Sequence, residues 1–215
     1  MTVQTSMWLI SQNGNIDGIS PALNEPQACT IGIQMLGGSK TIQKRWIAEF
    51  DLMGAVGQPY LGRPLTAQDT IVSVELWGDV SGTTGTTGFG CTIDRITRSD
   101  WVYTQATWNI YKTANNWTAA GGDISTPQAT FTSPTATGDQ LITDQLSGMV
   151  TDAIANRSGQ CLFRIKATDE GATDHIYGVY SDPDSWPGTN VMRVVIVFDG
   201  PGPGGSLMGL SPGII

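Results

Sequence analysis

Apolar positions along this chain fall in short alternating runs separated by clusters of Gly, Pro, Asn and Asp, the pattern of a sandwich or barrel. The runs Trp8–Ser11, Thr30–Met35, Arg45–Phe50, Ile71–Trp77, Cys91–Ile96, Cys161–Lys166, Ile176–Tyr180 and Met192–Phe198 are the expected main strands, each of ordinary strand length. Period-2 alternation puts Trp46, Ala48, Phe50 and Leu52 on one face, expected to be core, and Arg45, Ile47, Glu49 and Asp51 on the other. In the next run Val72, Val74 and Leu76 share a face, which leaves Trp77 as an outer-face or edge aromatic. The period changes within residues 139–156, where Leu146, Met149, Val150 and Ala153 recur at helical intervals and Asn156 stands near a stop. One short helix capping an end of the sandwich is expected there, with Gly148 costing it about 1 kcal/mol relative to Ala.

After Phe198-Asp199 the pattern ends in Gly-Pro-Gly-Pro-Gly-Gly-Ser, so residues 1–198 form one expected domain and residues 199–215 a linker and extended tail. The tail nevertheless carries Leu207, Met208, Leu210, Ile214 and Ile215. Those residues fit either packing back on their own domain or docking as an anchor on another subunit or protein, since apolar patches mark contacts.

Composition narrows the class. Charged residues make up only 14% and Gly numbers 27, so helices are expected to be minor. A formal net charge of -8 argues against a nucleic-acid groove or an anionic membrane surface, either of which needs clustered Lys and Arg. Cys29, Cys91 and Cys161 are far apart and odd in number, so buried free thiols are expected rather than a disulfide framework or zinc site. The N-terminus has neither a basic start nor an apolar run of signal-peptide length. The expectation is a product made in a cytoplasm and released by another route.

Trp101-Val-Tyr-Thr-Gln-Ala-Thr-Trp108-Asn, then Trp117-Thr-Ala-Ala-Gly121-Gly122-Asp123, places three of the seven tryptophans and a Gly-Gly-Asp turn close together. This spacing resembles the central motif of DNRLRE-type domains, β-sandwich modules of secreted carbohydrate-active, wall-associated and some phage-encoded proteins. Other segments are similar in order: Asn13-Gly-Asn-Ile-Asp17-Gly, Arg45 to Leu52, Ile71 to Leu76, Asp152 to Gln160, Cys161 to Lys166 and Val179-Tyr-Ser181. The resemblance covers about residues 8–198 and implies an all-β, jelly-roll-like sandwich of two antiparallel sheets. Two departures stand out. A usual Trp-x-Glu reads Trp101-Val-Tyr here, and the last strand lacks the common Pro-x-Leu.

Candidate chemistry is sparse. His175 is the only histidine and no nucleophile elbow accompanies it, so no catalytic residues are assigned and a non-enzyme is expected. Asp169, Asp174, Asp182 and Asp184 sit in turns at spacings that suit Ca²⁺, a hard cation that takes carboxylates, or they are solvated turn acids. Trp101, Trp108 and Trp117 fit a sugar-stacking platform or a core device. Trp101 and Trp108 are expected to be mainly buried and Trp117 partly exposed, so Trp117, the loop residue Trp186 and Tyr180 are the candidate glycan contacts.

These features lead to two functional expectations. The first is a virion structural protein at the virion surface, a capsid decoration or fibre-like module, homo-oligomeric and in contact with partners such as a major capsid protein. The second is an extracellular carbohydrate-binding module, for which an anionic polysaccharide would require several of the dispersed arginines to gather on one face beside an exposed Trp.

Overall fold

The computed structural model describes residues 2–10, 12–26, 29–53, 62–83, 88–171, 175–180 and 192–200. In chain order the strands are β1 (Thr2–Leu9), β2 (Gln12–Asp17), β3 (Asn24–Pro26), β4 (Thr30–Leu36), β5 (Ser39–Asp51), β6 (Thr70–Thr83) and β7 (Gly90–Ile96). They continue with β8 (Ile110–Lys112), β9 (Asn115–Asn116), β10 (Ile124–Thr132), β11 (Gly138–Thr143), helix α1 (Ser147–Asn156), β12 (Gln160–Ala167), β13 (His175–Tyr180) and β14 (Arg193–Gly200). The protein is an all-β sandwich with antiparallel pairing throughout the described ladders. Seven of the eight expected main strands are present; of Trp8–Ser11 only Trp8 and Leu9 are strand, at the end of β1, and Ser11 lies outside the described residues. β14 runs two residues past the expected domain end, and residues 201–215, with the apolar tail, lie outside the described residues.

One layer is built around β1, β14, β6 and β11, the other around β4, β5, β12, β7 and β10. β6 links them: Thr70 to Trp77 pairs with β14, while Asp79 to Thr83 pairs with β13, which pairs in turn with β4. Between the layers lies the main core, with Trp8, Val74, Leu76, Val194, Ile196 and Phe198 from one side and Ile31, Trp46, Phe50, Ile93, Phe163 and Ile165 from the other. The Phe163 ring meets Trp46 edge-on at 5.6 Å and stacks on Phe50 at 5.9 Å. Helix α1 closes one end by burying Met149, Val150, Ala153 and Ile154. It begins later than the expected range. Residues 138–143 instead form β11 against β6, because a paired strand edge satisfies their backbone.

Two expectations about faces are corrected. Trp46, Ala48, Phe50 and Leu52 do line the core, but Ile47 and Glu49 on the opposite face are buried as well. Val72 does not join Val74 and Leu76 inside; it is 57% exposed. Val197 faces Ser73 while Phe198 faces Ile71, so Val72 is the extra residue of a β-bulge, and the bulge breaks the alternation. Trp77 does sit on the outer face. Its Nε1 donates to Glu75 at 2.9 Å, and Arg193 lies 5.4 Å from its ring while paired with Asp139.

The bulge makes a direct prediction. Val74→Thr, which buries an extra hydroxyl in the core, should cost about 1–3 kcal/mol in a denaturant melt, whereas Val72→Thr should change stability by less than about 0.5 kcal/mol.

Candidate functional site

The second face of β5, β12 and β7 is covered by the excursion between β7 and β10, residues 97–123, which carries the tryptophan motif. Ile16, Ile47, Ile96 and Leu162 from the strands meet Trp101, Ala106, Tyr111 and Trp117 from the excursion in a separate hydrophobic cluster. The excursion is held in shape by its own β8–β9 ribbon and by Trp117, whose Nε1 donates to the Thr107 carbonyl at 2.9 Å. Trp101 donates through Nε1 to the buried Glu49 carboxylate at 2.7 Å. Burial pushes the Glu49 carboxyl above its ordinary range, and the Trp101 bond opposes that rise.

The Gly121-Gly122-Asp123 turn is where the charges converge. Gly121 and Gly122 have φ of 85° and 104°, a left-handed region that favours glycine. A Cβ at Gly121 would also fall on the Arg45 guanidinium and crowd the Trp108 ring. Arg164 on β12 pairs with Asp94 on β7 and donates from Nη1 to the Gly121 carbonyl at 2.6 Å and the Gly122 carbonyl at 3.2 Å. Arg45 donates to the same Gly121 carbonyl at 2.9 Å, forms a two-pronged pair with Glu170 at 2.6 and 2.8 Å, and lies 4.2 Å over the Trp108 ring. Arg98 binds Asp123 at 3.1 Å, and Asp123 in turn accepts from the Ala119 amide at 2.7 Å. Beside that pair lies an open hollow lined by Thr97, Arg98, Thr118, Ala119, Asp123 and Ile124.

Burial alone would raise the Glu170 carboxyl, but the Arg45 guanidinium outweighs it and holds the group below its ordinary range. Asp123 is also held low, because the Thr118 and Ala119 amides and Arg98 outweigh its burial. Arg164 shows the opposite balance: burial pulls its guanidinium below its usual range, and Asp94 offsets part of that. The buried arrangement is therefore a matched set, two cations and two carboxylates tied to one turn carbonyl, in which every charge has an opposite charge and directed hydrogen bonds.

The expected site residues are placed unevenly. Trp117 is 4% exposed, so the partial exposure expected of it is corrected: its ring packs on Tyr111 at 5.4 Å inside the second cluster. Trp101 is buried as expected, and Trp108 is the half-buried member of the three, its ring under Arg45. Asp169 is exposed and its Oδ1 accepts from the Gly171 amide at 2.7 Å. Asp174, Asp182, Asp184 and Trp186 lie outside the described residues, as do the side chains of His175 and Tyr180. Among the described residues no group of three or more His, Cys, Asp or Glu is placed to hold a metal ion. Cys29, Cys91 and Cys161 are buried thiols outside any disulfide, as expected, and burial pushes the Cys91 and Cys161 thiols up to about 12.

Sequence reasoning missed the partners of this turn. The one available signal was Arg164 itself, a charge inside the apolar run Cys161-Leu-Phe-Arg-Ile, which must find a buried partner to be tolerated.

Two outcomes test the arrangement. Asp94→Ala leaves Arg164 buried without its counter-charge and should cost about 3–5 kcal/mol in a urea melt. Glu170 has a lowered folded-state pKa, so its stabilising contribution is present above its unfolded value near ~4.3 and is lost as pH falls through the folded value. The acid side of a stability-against-pH curve should therefore be shallower for Glu170→Gln than for the parent chain.

Compared with known proteins, the chain matches no family model and none of the curated proteins.

Proposed function

We propose that this protein is a non-enzymatic virion structural module, a capsid decoration or fibre-like surface protein built on a DNRLRE-like sandwich. The observation that carries the reading is the use made of its charged groups. Arg45, Arg95, Arg164 and Arg193 are each paired with a carboxylate on a different part of the fold, while Arg63 and Arg98 pair with Asp69 and Asp123 within their own loop and excursion. With a second hydrophobic cluster on the outer side of β5 and β12, the sandwich is braced on both faces of one layer. Such bracing suits a protein whose role is to hold its shape at a surface, making contact with copies of itself and with partners such as a major capsid protein. Light scattering on the full chain should give a defined symmetric oligomer; a monomer at every concentration tried would count against the proposal.

A second reading, an extracellular module for an anionic polysaccharide, is favoured by one observation. Arg45, over the half-buried Trp108 ring, and Arg164 converge on the Gly121 carbonyl, and Arg98 binds Asp123 two residues along the same turn, with the hollow beside it. Against it, all three are engaged by carboxylates. Titration with a polyuronate, followed by tryptophan fluorescence, should leave the spectrum unchanged under the first reading. A saturable change abolished by Arg98→Ala would favour the second.

A further inference from the structure

Among the described residues, β1, β10 and β11 each pair with a neighbour on one side only. Such an edge presents unpaired backbone N–H and C=O groups, a template for another strand unless something blunts it. β1 is blunted by the segment at Arg63, whose amide donates to Ser6 Oγ at 3.0 Å while that hydroxyl donates to the Arg63 carbonyl at 3.0 Å. The neighbouring Gly62 is so close that a Cβ on it would collide with the Thr5 carbonyl. β11 carries the charge of Asp139. The first part of β10 is blunted as well: Pro127 has no N–H, the register shifts between Ser125 and Gln128, and Arg95 donates to the Thr126 carbonyl at 2.6 Å.

Residues 128–132 of β10 are left open. The Ser133 amide donates to the Phe89 carbonyl, and the register runs unbroken from there back to Gln128 against Asp94. Bonded and non-bonded pairs alternate in an antiparallel ladder, so Ala129 and Phe131 bond to β7, whereas Gln128, Thr130 and Thr132 turn both backbone groups away from it. All three are exposed. Open hollows run along this edge: Gln128 and Ala129 line one, and Thr130, Phe131 and Thr132 the next, with the end of β11 and the start of α1 opposite. Asp144, the one charged residue lining them, stands across the hollows from β10.

We infer that residues 128–132 pair antiparallel with the same residues of a second copy, about a twofold axis at Thr130. This deepens the virion reading and rests on it, since it assigns the interface of the expected oligomer. The strand is its own complement. Thr130 faces Thr130 and Gln128 faces Thr132, so every outward N–H meets an outward C=O, about six backbone hydrogen bonds in all. The side chains match too: Thr meets Thr on the outer side, and Ala129 meets Phe131 on the inner. No charged residue occurs between Asp123 and Asp139, so the facing strands carry no like charges although each chain has a net charge of -8. The pairing consumes the open edge of both copies and, with β1 blunted, closes as a dimer rather than propagating as a fibre.

The test is analytical ultracentrifugation of the full chain and of two variants, Thr130→Pro and Thr130→Lys. Proline removes an N–H that the β7 ladder does not use, and lysine sets like charges face to face across the axis. The parent is expected to form a dimer or an even-numbered oligomer, and each variant to raise the dissociation constant at least tenfold while the urea midpoint of the dilute monomer stays unchanged. Leu36→Lys, at a position on β4 that is 74% exposed, controls for added charge and should associate as the parent does. Association that survives in both folded variants overturns the β10 interface and leaves the virion reading standing. A parent chain that stays monomeric at every concentration overturns both.

Discussion

The rest of the structure depends on how Arg164 is satisfied. It sits on a central strand with hydrophobic clusters on both faces, where an unpaired guanidinium would cost more than the fold can tolerate. Asp94 on the neighbouring strand supplies the opposite charge, and the Gly121 and Gly122 carbonyls accept from Nη1. Those carbonyls belong to a turn that closes only with glycine, and that turn ends the excursion that covers the second face. Meeting the needs of one cation therefore fixes where a 27-residue segment, residues 97–123, lies on the sheet.

This changes the meaning of the tryptophan motif. Aromatic residues close together in a β-rich chain suggest a stacking surface for sugars, and Trp117 was the natural candidate. Its indole instead closes a hydrogen bond inside the excursion, and Trp101 does the same to Glu49. Trp108 keeps some exposure, with Arg45 against its ring. The three rings are the underside of a cover, and the charged groups around Gly121 are the fastening that holds it on the sheet.

Most of the long strands and the short helix were legible because they depend on local alternation and spacing, whereas the Trp8–Ser11 run crosses the end of β1, and β2, β3 and β8 to β11 were not legible. Trp46, Ala48, Phe50 and Leu52 reveal a buried face from their order alone. What could not be read locally comes from distant partners. Nothing within Arg45–Asp51 signals that Ile47 and Glu49 are buried too, because the residues that bury them lie some fifty positions later. Val72 escapes the alternation because of a bulge set by its pairing with β14. Residues 139–143 fell within the helical reading beside Leu146 and Met149, although pairing with β6 makes them a strand. Of the candidate site, the Gly-Gly-Asp turn and the arginines were visible as residues, whereas their convergence on one carbonyl follows only from the fold.

The most direct measurement is native-state hydrogen exchange on the unmodified protein, comparing amides that the excursion bonds to its own backbone with those of β5, β7 and β12. Those include Val102, which donates to Tyr111, Trp117 to Asn109 and Gly121 to Trp108. If the excursion is a fastened cover, these amides exchange only with the global unfolding that releases the strands, at the same free energy. Exchange of the excursion at a much lower free energy, with the strands still protected, would show a loosely attached loop and contradict the account.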